Sequence, residues 1–121
     1  MYESGENYLE TILILSRKYS WVRSIDIAKE MNFSKPSVSR AMGILKEDGY
    51  IDTKSTGEIV LTEEGKSKAE SIYERHELLT KFIVDITGVP TDIAEKDACK
   101  MEHIISEDVF NGIKEYMRKS K

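Results

Sequence analysis

The stretch from Ser24 to Leu61 leaves this chain few folds to choose from, because it encodes two short helices and a hairpin with almost no linker between them. Ser24 is a capping residue, and Ile25, Ile27 and Ala28 carry a helix to about Met31. Asn32-Phe33 makes a turn. Ser34 caps the next helix, with Pro36 in its first turn, where a missing N–H costs nothing. Val38, Ala41, Met42 and Leu45 form its inward stripe, and Gly49 stands where a left-handed residue ends a helix. Two β-type runs follow, Tyr50-Ile51-Asp52-Thr53-Lys54 and Ile59-Val60-Leu61, around Ser55-Thr56-Gly57-Glu58. Helix, turn, helix and hairpin make a winged helix-turn-helix.

That arrangement presents the second helix to a DNA groove. Its outward residues are Ser34, Lys35, Pro36, Ser37, Ser39, Arg40 and Lys46, with Lys54 near the hairpin tip, and these are the candidate DNA contacts. Taken alone, such cations equally suit a solvated face. The net charge of −4 does not mark a nucleic-acid binder, with 8 Lys/Arg against 9 Asp/Glu up to Leu61 and 10 against 13 after it. Any DNA contact must therefore come from a local patch, and a cation bound in the acidic second part would lower its repulsion of phosphate.

The flanking segments read as helices. From Glu6 to about Tyr19, Tyr8, Ile12, Leu15 and Tyr19 recur at helical spacing beside Leu9 and Leu13. Thr62 caps a long helix with an acidic first turn, Glu63-Glu64, and a stripe of Ala69, Ile72, Tyr73, His76, Leu79, Ile83 and Ile86. Gly88 and Pro90 stop it, Thr91 caps a fifth helix, and Ser106 starts a sixth that ends in a basic tail. Ala94, Ala98, Met101 and Ile105, with Val109, Phe110, Ile113 and Met117, exceed what so short a chain buries against itself. The surplus reads as a homodimer interface, with core packing as the competing account.

Asp97-Ala98-Cys99-Lys100-Met101-Glu102-His103 places three potential metal ligands within five residues. On a helix, Cys99, Glu102 and His103 share one face. His76, Glu10 and Asn7 are further candidates upstream. Each has an ordinary alternative: His76 as a core histidine, Cys99 as a small buried hydrophobe, Glu10 and Asn7 as solvent-facing residues.

The 121 residues suit one domain or two small ones, divided here into a winged-helix domain over 1–61 and a helical metal-binding and dimerisation domain over 62–121. One cysteine excludes an intramolecular disulfide framework. Met1-Tyr2-Glu3-Ser4-Gly5 carries no basic, apolar leader, and no apolar run approaches the ~20 residues of a membrane span. A cytoplasmic protein without a membrane partner or a small organic ligand is the expectation. There is no His-Glu-x-x-His motif, Gly-rich phosphate loop or nucleophile–base pair, so an enzyme is not expected. The alternative to a metal sensor is a metal-independent winged-helix regulator with a structural His/Cys cluster.

Several motifs resemble the family of metal-dependent transcriptional repressors that includes the diphtheria toxin repressor and the manganese transport regulator. They are Glu6-Asn7-Tyr8-Leu9-Glu10-Thr11-Ile12, Ser34-Lys35-Pro36-Ser37-Val38-Ser39, Leu61-Thr62-Glu63-Glu64-Gly65, Arg75-His76-Glu77-Leu78-Leu79 and the Cys99 cluster, together spanning nearly the whole chain. The resemblance implies His76, Glu102 and His103 as ligands, joined by Cys99, Glu10 and Asn7. It also implies a homodimer on a double-stranded DNA operator, repressing metal-uptake genes when metal is plentiful.

The chain departs from both branches of that family. In the manganese branch, positions 7 and 99 look like carboxylates; in the iron branch, 99 is a cysteine, but 7 is a methionine and 10 is not acidic. A further iron-branch site would use positions 76, 80 and 95, and Thr80 and Glu95 weaken it. Iron-branch members also carry an additional C-terminal domain, which a chain this short is not expected to hold. A mixed thiolate, imidazole and carboxylate set suits Fe²⁺, Co²⁺, Ni²⁺ or Zn²⁺, whereas Mn²⁺ prefers oxygen. Fe²⁺ is the expected corepressor with Mn²⁺ close behind; Zn²⁺, Co²⁺ or Ni²⁺ would bind in vitro.

Overall fold

In a computed structural model, residues 3–120 are described. Met1, Tyr2 and Lys121 lie outside them, and with them the first residues read for a leader and the outer ends of both expected domains. Six helices and one hairpin follow in the order α1 (Glu3–Lys18), α2 (Ser24–Met31), α3 (Lys35–Glu47), β1 (Ile51–Thr53), β2 (Ile59–Leu61), α4 (Glu63–Thr87), α5 (Thr91–Met101) and α6 (Glu107–Lys119). The described residues form two compact units that divide within α4, between Glu70 and Ser71.

The first unit is the winged helix. Its core comprises Leu9, Ile12, Leu13 and Leu15 of α1, Ile27 of α2, Val38, Met42 and Leu45 of α3, and Ile51 and Ile59 of the hairpin. β1 and β2 pair antiparallel with Asp52 opposite Val60. Val22, expected in a plain connection, is buried, and its carbonyl accepts from the Ile59 N–H at 2.7 Å, which extends the sheet edge.

Local chemistry explains the boundaries. Ser34 caps α3 by accepting from the Ser37 N–H at 3.3 Å. At the other end Gly49 has φ +86°, and the Gly49 and Tyr50 N–H groups donate back to Lys46 and Leu45. That pair of bonds is the Schellman closure, which needs a left-handed residue. Asn32 takes the left-handed position after α2 with φ 57°. The expected cap of α2 shifts by one: Arg23 is the N-cap, and its N–H donates to the Asp26 carboxylate at 2.9 Å, while Ser24 is already helical.

The hairpin is clamped to the start of α4. The Thr62 hydroxyl donates to the Gly49 carbonyl at 2.7 Å and accepts from the Gly65 N–H at 3.0 Å, while the Thr62 N–H donates to the Tyr50 carbonyl. A Cβ on Gly65 would overlap that Tyr50 carbonyl oxygen, so this helical position admits only glycine.

The second unit packs the rest of α4 with α5 and α6 around Ile72, Leu79, Ala94, Ala98, Phe110 and Met117. Phe82 and Tyr116 meet edge to face, and Lys114 pairs with Glu74 at 2.6 Å. Pro90, rather than Thr91, is the N-cap of α5. α5 stops at Met101, so the apolar stripe expected to run on to Ile105 breaks into a turn. Tyr19 and Ile86, expected to face inward, are exposed, as are Val109, Ile93, Ile104 and Tyr116. Among the described residues no helix is long and apolar enough to cross a membrane.

Candidate functional site

Two sites were expected: the candidate DNA contacts all lie in the first unit, while of the candidate metal ligands His76, Cys99, Glu102 and His103 lie in the second unit and Asn7 and Glu10 in the first. In the winged helix, Ser34, Lys35, Pro36, Ser37, Ser39, Arg40 and Lys46 are all exposed, in keeping with an outward face on α3. The N-terminus of α3 carries the positive end of the helix dipole, which favours phosphate. The Ser34 hydroxyl, besides accepting from Ser37 N–H, donates to the Ser37 hydroxyl at 2.9 Å, so both serines are ordered by the cap. Lys54 is exposed beside the wing tip and pairs loosely with Glu58 at 3.7 Å. Gly57, at φ +89°, makes that tip turn.

In the second unit the central feature is Glu102. Its carboxylate is fully enclosed, with His76 Nδ1 3.4 Å from Oε2 and His103 Nε2 3.5 Å from Oε1. Neither carboxylate oxygen accepts a hydrogen bond. A buried carboxylate in that condition is costly, by several kcal/mol, unless a cation compensates it. The His76 and Glu102 atoms are also spaced as ligands sharing one ion would be: two atoms ~2.1 Å from a tetrahedral ion lie roughly 3.4 Å apart. The residues present therefore fit a divalent metal.

The other expected ligands are placed differently. The His103 imidazole is enclosed but lies against the opposite oxygen of Glu102 from His76. Cys99 is exposed, in the last turn of α5, while Glu102 and His103 fall beyond the end of the helix. Glu102 is the C-cap of α5, its N–H still donating to the Ala98 carbonyl at 2.9 Å, and His103 is the first residue of the turn that follows. In the first unit Glu10 is a buried carboxylate, not a solvent-facing one, and Asn7 is half-buried. The Thr80 hydroxyl is used inside α4, donating to the His76 carbonyl at 2.8 Å, and Glu95 is exposed.

Sequence reasoning gave Arg75 no role. Its Nη1 donates to the carbonyls of Glu102 at 3.3 Å and Ile105 at 3.2 Å, and its guanidinium lies 5.1 Å from the centre of the Phe110 ring.

A winged helix joined to a helical unit with a buried carboxylate–imidazole cluster defines the class of metal-responsive DNA-binding regulators. Residues 1–58 match the family described as iron dependent repressor, N-terminal DNA binding domain, and residues 62–121 match its metal binding and dimerisation domain. The chain belongs to the iron-dependent repressor family, whose members are transcriptional repressors and not enzymes. It is 30% identical over 122 residues to an uncharacterized HTH-type transcriptional regulator of Methanocaldococcus jannaschii, covering all of this chain and 98% of that protein. It is 31% identical over 107 residues to the iron-dependent repressor IdeR of Mycobacterium tuberculosis, covering 88% of this chain but 46% of the relative, so it spans about half the length of that protein. A solved structure described as a manganese-dependent transcriptional repressor in complex with manganese superposes with a TM-score of 0.81 at 27% identity, over 90% of this chain and 50% of that one.

Proposed function

We propose that the chain is a homodimeric transcriptional repressor whose corepressor is Fe²⁺ or Mn²⁺, bound through His76 and Glu102. The observation that carries this reading is the enclosed Glu102 carboxylate, flanked by two imidazoles and accepting no hydrogen bond. Glu10, the other buried carboxylate, is the ligand the proposal draws from the first unit, while His103, Cys99 and Asn7 complete the candidate set. When bound, the divalent ion would supply positive charge that compensates the buried Glu102 carboxylate.

The chain's own residues then do the reading of DNA. Lys35, Arg40, Lys46 and Lys54 meet phosphates; Ser37 and Ser39, in the first turns of α3, approach base edges. Two copies must present α3 to successive major grooves about 34 Å apart, so their orientation controls affinity. A bias of ~1–3 kcal/mol toward the competent arrangement suffices for an effective corepressor. Exposed Ile86, Ile93, Ile104, Val109 and Tyr116 supply apolar surface for the dimer. Such a protein works in the cytoplasm and takes no small organic ligand.

The test is operator binding by the apo-protein with and without each ion, in the wild type and in His76→Ala. Metal-stimulated binding lost in the variant supports the proposal. Equal binding with and without metal supports the metal-independent regulator instead.

A further inference from the structure

We propose that Arg75 is a positioning residue of the metal centre, a guanidinium strap that fixes the 102–105 turn against α4 and so holds Glu102 and His103 in register with His76. This inference rests on the reading of His76 and Glu102 as metal ligands.

α5 ends at Met101, and its last carbonyls have no partner within the helix. The turn that follows is closed on itself only by the N–H groups of 102–105, which donate back to Ala98, Lys100 and Met101. The outward carbonyls of Glu102 and Ile105 need an external donor, and Arg75 Nη1 serves both, at 3.3 and 3.2 Å. A cation at a helix C-terminus is also favoured by the dipole.

The guanidinium is itself held in place. It stacks over Phe110, which is buried, and Lys114 lies 6.0 Å from the same ring while pairing with Glu74. Arg75 immediately precedes His76 on α4. One residue therefore fixes the backbone that carries Glu102 to the backbone that carries His76. Loss of such an outer contact typically weakens metal binding 10–100-fold, because the ligands remain but their geometry is no longer imposed.

The test uses the full chain with Arg75→Met, which keeps an unbranched side chain over Phe110 but has no donors, and Arg75→Lys, whose ammonium cannot hold the planar fork. Two readouts are taken: amide hydrogen exchange of residues 103–105 in the apo-protein, and Mn²⁺ affinity by calorimetry. Faster exchange confined to that turn, with Mn²⁺ affinity about tenfold lower or worse in Arg75→Met and intermediate in Arg75→Lys, is the expected result. If Arg75→Met does not fold, the Lys variant decides: wild-type exchange and wild-type affinity overturn the proposal. Unchanged exchange and affinity in both variants overturn it as well. Wild-type protein that binds neither Mn²⁺ nor Fe²⁺ while the turn still loosens in the variants refutes the metal reading itself, and with it the positioning role.

Discussion

His76 Nδ1 stands 3.4 Å from the Oε2 atom of Glu102, 26 positions further along the chain, and the carboxylate it faces is wholly enclosed. At that distance the two groups attract without a hydrogen bond. Replacing Glu102 by its neutral isostere should therefore separate stability from function. Glu102→Gln is expected to bind Mn²⁺ and Fe²⁺ far more weakly, yet to unfold at the same or a higher temperature as apo-protein at about pH 7.5, because a buried charge has been removed. Calorimetric titration and thermal unfolding check the two halves. A destabilised apo-protein would mean that the carboxylate is held by charged histidines and is structural.

Arg40 lies on the exposed face of α3, in the other unit from His76 and Glu102. Arg40→Ala should weaken operator binding and make the salt dependence shallower by about one counterion, while leaving metal affinity unchanged. Fluorescence anisotropy over a salt series reads this. A change in metal affinity of comparable size would contradict the assignment of α3 to DNA alone.

Gly65→Ala tests the clamp between the hairpin and α4. In an ordinary helix interior, alanine would gain roughly 0.5–1 kcal/mol over glycine. Here the added Cβ meets the Tyr50 carbonyl, which already accepts from the Thr62 N–H. The overlap forces backbone movement, and a net loss of about 1–3 kcal/mol in urea unfolding is expected. A stabilised variant would refute the close approach.

The cap of α3 makes a smaller prediction. Ser34→Ala removes the acceptor for the Ser37 N–H and should cost about 1 kcal/mol. Since the same cap orders Ser37, operator affinity should fall too, which Ser106→Ala at the start of α6 should not reproduce through any DNA contact. Loss of affinity equal in both variants would reduce the Ser34 effect to stability.

A pH effect follows from α6. The Arg118 guanidinium, and less strongly Lys119, holds the Glu115 carboxyl below its ordinary range. With the folded value depressed, the pair's contribution is present above the unfolded value and is lost as pH falls through the folded one. The stability difference between wild type and Glu115→Gln should thus shrink between pH 7 and pH 3. The group is fully exposed, so the whole difference is small. A difference that grows on acidification would contradict the pairing.

The winged helix was legible because its signals are local. Ser34, Pro36, Asn32 and Gly49 each dictate a cap or a turn within a few residues, and each stands where it was read. The end of α5 was not legible for the converse reason. Neither glycine nor proline follows Met101, and the donor that serves the turn is Arg75, 27 residues away from Glu102 and 30 from Ile105. Burial of Glu10 also escaped the pattern, since periodicity ranks a carboxylate beside Leu9 as a boundary residue and says nothing about what compensates it. The cap of α2 was misplaced by one residue because Asp26, bonded to the Arg23 N–H, was a stronger signal than the Ser24 hydroxyl.

The most direct test of metal-dependent repression is an anaerobic calorimetric titration of the apo-protein with Mn²⁺ and, separately, Fe²⁺, repeated on His76→Ala and Glu102→Gln. Saturable binding of at least one ion by the wild type, lost in both variants while circular dichroism shows the helices intact, is the predicted result. No binding by the wild type, or binding that survives both substitutions, would contradict it.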